Sequence, residues 1–258
     1  MADLIGLFPA FLLIFARVTS FFVMMPLFSY RTVPLIFKGG LGFFLAMVMV
    51  PVVEAPVLEI DGTFLLLVMK EVLVGLLLGF FGYLAMAAIQ TAGAFIDFQM
   101  GFAIANVIDP QTGAQSPLIG QYLYILGLVL LLAVDGHHLL LDGIYYSYRF
   151  IPLEKWALPF ADASLAEYLV KAFCVTFVIA FQMAFPIVGS IFLVDVALGI
   201  IARTVPQFNV FVVGLPVKIG ASFIVLAAVM AVILSVVSLL IEWMVGGLRD
   251  LMVLLGRG

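Results

Sequence analysis

Long apolar runs separated by short polar connections dominate the pattern of this chain. Six of the runs are Leu4–Phe28, Leu41–Val53, Phe64–Ile89, Leu118–Val134, Val170–Val194 and Ile219–Ile241. A helix needs about 20 mostly apolar residues to cross a bilayer, and all but the short second run reach or approach this length. Because the runs are continuous and do not alternate apolar with polar residues, they predict transmembrane helices rather than barrel strands.

Two further apolar stretches are interrupted, and they predict broken or re-entrant segments. Ala92–Ile108 contains several polar residues, and Val196–Val213 contains Pro206. Pro186 is expected to kink or end its own helix, because proline lacks the backbone N–H and clashes with the preceding turn. The pattern therefore predicts an all-α integral membrane protein with about six long apolar helices plus broken or re-entrant segments.

The connections contain the prolines and most of the charged residues. They run from Arg31 to Lys38, Glu54 to Asp61, Asp135 to Glu167 and Arg203 to Lys218. The last of these contains PQFNVFVVGLP, which is expected to form the turn of a helical hairpin. Since basic residues favour the cytoplasmic side of a membrane, Arg31 and Lys38 predict that the first connection is cytoplasmic.

Composition supports the membrane assignment and excludes other classes of protein. Apolar residues make up 66% of the chain and charged residues 10%, against about 45–50% and 25% in soluble globular proteins. The net charge of −4 comes without any basic cluster, so a nucleic-acid-binding role is not indicated. A single cysteine, Cys174, excludes an internal disulfide.

One face of the third apolar run carries a charged residue that is followed by several glycines. Glu71, Gly75, Gly79, Gly82 and Met86 share this face at helical spacing. The Gly75–Gly79 pair is a GxxxG motif, which allows another helix to approach closely. A carboxylate at the depth of Glu71 needs a partner or water, because a charge inside a span costs about 2.5–3.5 kcal/mol on insertion scales.

A second small and polar stripe follows at Gln90, Gly93, Asp97 and Gly101. Its composition suits contact with another protein helix better than contact with lipid. Asp97 is interpreted either as a satisfied carboxylate at a seam within this chain, or as part of a pore wall or subunit contact. Further along, Asp195 and Gly199 share a face, and a direct ion pair between Asp195 and Arg203 is not expected within one helix.

Turn-forming residues follow this stripe. They are Asn106, Asp109, Pro110, Gln111, Gly113, Gln115 and Pro117. Asp-Pro and Ser-Pro pairs mark turns, and glycine permits a left-handed bend. The segment is either an ordinary connection or a re-entrant or plugging loop, since irregular backbone at membrane depth is tolerated only beside a cavity or inside protein.

Catalytic and cofactor motifs are missing from the sequence. His137 and His138 lie near Asp135 and Asp142, but adjacent histidines are expected to diverge on a helix, so a metal site is not predicted. No P-loop, nucleophile elbow, zinc-protease or dinucleotide motif occurs. The interpretation is that the chain is not an enzyme and binds no cofactor or metal.

The chain resembles the FliR family of bacterial flagellar export gate proteins, whose virulence counterparts are the SctT/SpaR proteins of injectisomes. The resemblance covers nearly the whole chain, in order and with matching length. Its residues are Arg31–Pro34 with Lys38, the block QTAGAFIDFQMGF that begins at Gln90, Asp109–Pro110, and Leu215–Lys218 with Gly220. The block from Gln90 to Asp109 is the specific part.

This resemblance implies a subunit of a hetero-oligomeric export channel in the bacterial inner membrane, within the flagellar basal body. FliP and FliQ homologues would be its direct partners, with FlhB around the assembly, FlhA coupling it to proton-motive force, and unfolded export proteins as substrates. Residues 1–190 would be a FliP-like part, and residues 191–258 would form a FliQ-like hairpin part. Residues 106–121 would be a plug that helps to close the channel.

An injectisome subunit and a small-solute secondary transporter are the alternative functions. A transporter would be expected to contain inverted repeats and broken helices near the bilayer midplane. Two observations in this sequence support a transporter. The four residues Arg31–Pro34 are repeated at Arg203–Pro206, and Pro206 interrupts an apolar stretch. Overall similarity favours a flagellar system over a virulence system.

Overall fold

The apolar runs form α-helices in this computed structural model. It describes residues 6–28, 33–53, 60–102, 117–155, 163–205, 207 and 209–256, and none of them forms a β-strand. The helices are α1 (Phe8–Met24), α2 (Leu35–Met49), α3 (Gly62–Met100), α4 (Leu118–Ala133), α5 (Gly136–Phe150), α6 (Ala163–Thr204) and α7 (Val210–Gly256).

Three of these helices, α3, α6 and α7, are long and apolar enough to cross a membrane. The α4–α5 pair meets the same test as one span, with a bend of 69° at the break between its two helices. The helices α1 and α2 are apolar but shorter. The prediction of an all-α membrane protein with long helices and broken segments is therefore confirmed.

The observed helices join segments that the sequence pattern separates. The run Phe64–Ile89 and most of Ala92–Ile108 form the single helix α3, because Gln90 and Thr91 between them are polar but compatible with a helix. Pro186 does not end α6, which continues to Thr204. A membrane helix tolerates proline when side chains or neighbouring helices compensate for the missing backbone bond.

The connection predicted from Asp135 to Glu167 contains a helix that hydropathy does not detect. The helix α5 buries Leu140, Ile144 and Tyr148, which recur every fourth residue, while polar residues occupy its other side. It is amphipathic rather than uniformly apolar, so a search for long apolar runs misses it. The predicted hairpin turn is also shorter than expected, because α7 begins at Val210 and contains Pro216 and Lys218.

The chain divides into two compact units that are interleaved along the sequence. The first contains Met1–Ala85, Leu132–Phe173 and Ile241–Gly258, and the second contains Met86–Leu131 and Cys174–Leu240. The division at residues 190 and 191 follows a likeness to partner proteins rather than contacts within this chain. It therefore stays a prediction.

Within the first unit, the glycines of α3 allow α1 to pack closely. A methyl group added at Gly75 would overlap the Ser20 hydroxyl and the Arg17 carbonyl oxygen. One added at Gly79 would lie 2.7 Å from Cβ of Met24 and 2.8 Å from the Phe21 carbonyl oxygen. The GxxxG pair thus serves a helix–helix contact inside this chain.

The N-terminal end of α3 is fixed by Asp61. Its carboxylate accepts hydrogen bonds from the Thr63 hydroxyl (2.6 Å) and from the backbone N–H groups of Thr63 (2.9 Å) and Phe64 (3.1 Å). These bonds, led by that of the Thr63 hydroxyl, lower the pKa of the Asp61 carboxyl below its ordinary value. The cap satisfies backbone donors that the first turn of a helix leaves without partners.

Replacing Gly75 with alanine is expected to destabilise the protein by about 1–3 kcal/mol, because one of the atoms in the way is backbone and cannot move aside freely. Thermal unfolding of the purified chain in detergent measures the effect. Gly189→Ala on α6 is the matched control, since nothing lies within 4 Å of the added methyl group. The control should leave stability unchanged or raise it by up to about 1 kcal/mol, and equal losses in both variants would contradict the packing argument.

Candidate functional site

A buried ion cluster of Arg17, Lys70 and Glu71 links α1 and α3 in the first unit. The Glu71 side chain is fully buried, as is that of Arg17. The guanidinium of Arg17 donates to both carboxylate oxygens of Glu71, through Nε to one and through Nη2 to the other at 3.0 Å. The Lys70 ammonium lies 2.5 Å from Glu71 Oε1. One carboxylate therefore holds two cations.

The cations of this cluster reach further, to the C-terminal end of α5. Arg17 Nη2 donates to the carbonyl oxygen of Ile151 (2.9 Å), and Lys70 Nζ donates to those of Pro152 (2.9 Å) and Leu153 (3.2 Å). Carbonyls at a helix C-terminus carry partial negative charge and favour nearby cations. The two cations and the one carboxylate leave a net charge of one positive unit, and the partial negative charge of these carbonyls offsets it.

Two side chains of α5 complete the surroundings of Arg17. Nη1 donates to the Ser147 hydroxyl oxygen at 2.9 Å, and that hydroxyl donates to the Ile144 carbonyl at 2.6 Å. The ring of Tyr148 lies 4.0 Å from the guanidinium carbon, a cation–π distance. Every part of the guanidinium is thus in contact with a hydrogen-bond acceptor or an aromatic face, which makes the cluster a structural tie between α1, α3 and α5.

A second polar tie lies in the other unit, where Asp97 of α3 meets the first turn of α4. The Asp97 carboxylate accepts hydrogen bonds from the backbone N–H groups of Ile119 (3.0 Å) and Gly120 (3.1 Å). A methyl group added at Gly93 would overlap the backbone of Gly120, only 2.1 Å from its Cα, whereas one added at Gly120 would lie 3.3 Å from the Gln90 carbonyl oxygen. A carboxylate at a helix N-terminus satisfies free donors and complements the positive end of the dipole.

The tie made by Asp97 joins the two helices that flank residues 103–116. The helix α3 ends at Met100, and α4 begins at Leu118, where the Pro117 carbonyl accepts from the backbone N–H of Gln121 at 2.8 Å. Six predicted loop residues lie outside the described residues: Asn106, Asp109, Pro110, Gln111, Gly113 and Gln115. The chain on either side of them is therefore held together by Asp97.

A third polar contact links α3, α6 and α7 in the second unit through Asp195. Its carboxylate lies 2.8 Å from the Lys218 ammonium and accepts a hydrogen bond from the Gln99 amide, also at 2.8 Å. Lys218 therefore lies inside α7 as the partner of Asp195, on the neighbouring helix rather than in a turn. Both side chains are partly exposed, so the ion pair is expected to contribute little stability by itself.

The remaining predicted positions are spread over the structure. Gln90 is exposed, and Gly101 has φ of 90°, which suits glycine where α3 ends. An added methyl group at Gly199 would contact nothing within 4 Å. Arg203 is exposed in the last turn of α6, Lys38 is buried in the first turn of α2, and Arg31 lies outside the described residues.

The two histidines lie closer together than expected from their adjacency. Asp135 adopts φ of 55° and turns the chain between α4 and α5. One ligand atom each of Asp135, His137 and His138 lies within 4.8 Å of the others, and the two rings are 4.0 Å apart. The expected divergence of their side chains is therefore wrong. Asp135 and His138 are exposed, and Asp142 is not in this group.

The sequence pattern indicated that Glu71 needs a partner but did not identify it. Arg17 and Glu71 are 54 positions apart, and Ser147 lies 130 positions beyond Arg17. The available signal was that Arg17 is the single charge in its apolar run, as a lone opposite charge in another span is the natural partner of a buried carboxylate. The carbonyl acceptors near Ile151 leave no signal in the sequence.

Comparison with known proteins places these features in a family. The family described as "Bacterial export proteins, family 1" matches residues 8–244. The chain belongs to this family. It is 54% identical to the flagellar biosynthetic protein FliR of Bacillus subtilis (strain 168) over 99% of both chains. This confirms the FliR family resemblance stated from the sequence.

More distant members of the family come from flagellar and virulence systems. The chain is 30% identical to the flagellar biosynthetic protein FliR of Escherichia coli (strain K12), over 84% of this chain and 82% of that one. It is 28% identical to the Yop proteins translocation protein T of Yersinia pestis, over 80% of both chains. The family therefore includes flagellar and injectisome counterparts of type III secretion, and this member is a membrane-embedded helical protein.

Replacing Glu71 with glutamine is expected to cost about 3–5 kcal/mol, because it leaves two buried cations without their counter-charge. Thermal unfolding in detergent measures the loss. The double variant Arg17→Met with Glu71→Met leaves one cation, Lys70, with its carbonyl acceptors. It should be less destabilised than Glu71→Gln. A double variant at least as unstable as Glu71→Gln would contradict the charge-balance explanation.

Replacing Asp97 with leucine is expected to destabilise the second unit by about 1–3 kcal/mol, because two buried N–H groups of α4 lose their acceptor. Asp97→Asn keeps one acceptor oxygen and should lose less. Hydrogen exchange at Ile119 and Gly120, followed by mass spectrometry of the matching peptides, reports the local opening. Gln90→Leu, an exposed position on the same stripe, is the control. Unchanged exchange in Asp97→Leu would exclude the tie.

Proposed function

We propose that this protein is a non-catalytic subunit of the flagellar type III protein export gate. It would form the export channel with FliP and FliQ homologues, in contact with FlhB and FlhA, and serve the passage of unfolded flagellar proteins. The observation that carries this proposal is the 54% identity to a flagellar biosynthetic protein FliR over 99% of both chains. Such coverage leaves little of the chain for a different function.

The exposed surface of the helices supports a protein that works inside an assembly and a membrane. Large apolar side chains are exposed along α6 and α7; examples are Phe173, Phe192, Ile224 and Leu239. Exposed apolar area of this extent needs lipid or protein partners. The proposed location is the bacterial inner membrane at the flagellar basal body.

A flagellar role is favoured over an injectisome role by the comparison of identities. The chain is 54% identical to one flagellar relative and 28% identical to the Yop translocation protein T. Flagellar and injectisome proteins belong to one family, so the difference in sequence identity is the observation that favours the flagellar role. Motility is therefore the phenotype that the proposal addresses.

The plug is the part of the proposal that concerns residues 106–121. The tie between Asp97 and the first turn of α4 supports a loop whose two ends are held together, and loop segments with joined ends are frequently functional. The division into a FliP-like part at 1–190 and a FliQ-like part at 191–258 belongs to the same proposal.

Co-purification tests the assembly. Tagged chain expressed together with FliP and FliQ homologues of the same bacterium should retain both through solubilisation, whereas a solute transporter should purify alone and catalyse uptake in proteoliposomes. Uptake of a small solute by the isolated chain would refute the export proposal.

Deletion of the gene tests the flagellar role. The deletion strain should lack flagella. A deletion strain that keeps normal flagella but loses export of virulence proteins would indicate the injectisome alternative.

Deleting Asp109–Gln115 is expected to leave the complex assembled but permeable to small ions. The physical reason is that the tie at Asp97 and the helices on either side stay intact while the proposed plug is shortened. Ion conductance of proteoliposomes that contain the complex measures the leak. Replacing the same seven residues with an equally long Gly-Ser segment separates length from contacts. Conductance at the wild-type level in both variants would exclude a plug.

A further inference from the structure

A groove between α1, α2 and α3 contains a buried lysine. It has a volume of about 500 Å³, and its walls are mainly apolar side chains, among them Leu12, Phe15, Val23, Leu35, Phe64 and Val68. Lys38 also lines it, and only 9% of this residue is exposed. Thr19 and Ser20 also line the groove, but their hydroxyls donate to the backbone carbonyls of Phe15 and Arg17, so Lys38 is the charged residue in a mainly apolar lining.

The Lys38 ammonium forms no hydrogen bond or ion pair within the part of the chain that the structure describes. Arg17 and Lys70, the other buried cations of this unit, are both paired with Glu71 and with backbone carbonyls. Most of the Lys38 side chain is buried, but its Nζ atom keeps some contact with solvent. An ammonium that has no partner and can be reached from outside the protein can bind an anionic ligand.

The N-terminus of α2 adds donors at the same place. Pro34 precedes the helix, no side chain caps it, and the Pro34 carbonyl accepts from the N–H groups of Phe37 and Lys38. The N–H groups of Leu35 and Ile36 have no acceptor among the described residues. Free backbone donors and the positive end of a 15-residue helix favour an anion.

We propose that this groove binds an anionic phospholipid. The phosphate would accept hydrogen bonds from Lys38 and from the first turn of α2, and an acyl chain would lie against the apolar walls. A phosphate presents several acceptor oxygens, which suits an ammonium together with more than one N–H group. A free phosphate would leave the apolar remainder of the groove empty. The proposal depends on the membrane location and not on the export role.

The surroundings of the groove fit the membrane surface. Leu35 and Ile36, which are 77% and 89% exposed, lie at the same end of α2. Apolar side chains beside a cation are typical of the boundary between headgroups and acyl chains. The basic residues Arg31 and Lys38 predict the cytoplasmic side for this connection, and the cytoplasmic leaflet carries anionic lipids.

The first experiment measures lipid affinity of the full-length chain, with the proteins that co-purify, in a neutral detergent. Native mass spectrometry counts bound lipid during titration with phosphatidylglycerol, and thermal unfolding records the accompanying stabilisation. Lys38→Gln should weaken phosphatidylglycerol binding by about tenfold or more, the scale of a lost charged hydrogen bond. Lys171→Gln, an exposed cation on α6, should leave the affinity unchanged.

Two neighbouring glycines on α2 allow a matched test of the proposed contact between an acyl chain and the groove. Gly39 lines the groove and Gly40 does not, and an added methyl group at either would contact nothing within 4 Å. Gly39→Leu should fill part of the groove and weaken lipid binding, while Gly40→Leu should not. Lys38→Arg keeps the charge and should bind phosphatidylglycerol with an affinity within a few-fold of the wild type. If Lys38→Gln does not fold, the Gly39→Leu and Gly40→Leu pair still tests the groove.

Several results would overturn the proposal. Equal affinity for phosphatidylcholine would exclude charge recognition by Lys38. Inorganic phosphate that stabilises the protein as much as phosphatidylglycerol would assign the site to a free anion. A photo-cross-linker at Leu12 that captures another protein instead of a lipid would assign the groove to a partner helix. Unchanged phosphatidylglycerol binding in Lys38→Gln and Gly39→Leu would exclude this groove altogether.

Discussion

An unpaired charge inside an apolar protein costs several kcal/mol, and Glu71 meets this constraint by binding two cations at once. Its carboxylate contacts Arg17 of α1 and its sequence neighbour Lys70. The positive charge left over is taken up by carbonyls beyond α5, at Ile151, Pro152 and Leu153. The close packing of α1 against the glycines of α3 brings Arg17 to Glu71, so small residues and buried charges act together.

A common rule relates the polar contacts to the helix ends. Cations of the buried ion cluster lie at the C-terminal end of α5, and the carboxylate of Asp97 lies at the N-terminal end of α4. Each charge has the sign that complements the helix dipole at that end. In a membrane protein this arrangement satisfies backbone groups that water cannot reach. The Glu71 cluster and Asp97 thus hold the ends of α5 and α4 against the flanks of neighbouring helices.

The helical class and most helix positions could be predicted from the sequence because a bilayer imposes length and apolarity on each span. The continuity of α3 through Gln90 could not be predicted in this way. Polar residues lower the local hydropathy and so interrupt an apolar run, although they do not break a helix. The amphipathic α5 was missed for a related reason. Hydropathy and helical spacing indicated that Glu71 and Asp97 need partners. Apart from Lys70, the neighbour of Glu71, these partners are backbone atoms or residues far away in the chain, which only the tertiary structure brings together.

The N-terminus of α2 differs from those of α3 and α4. It is where a dipole favours negative charge, yet the charged residue there is Lys38, and no described group supplies the anion. Asp97 and Asp61 provide carboxylates at the corresponding ends of α4 and α3. An ammonium and the positive end of a helix dipole carry charge of the same sign, and a nearby anion would stabilise both. A phosphate in the groove would restore at α2 the charge order found at the other two helix starts.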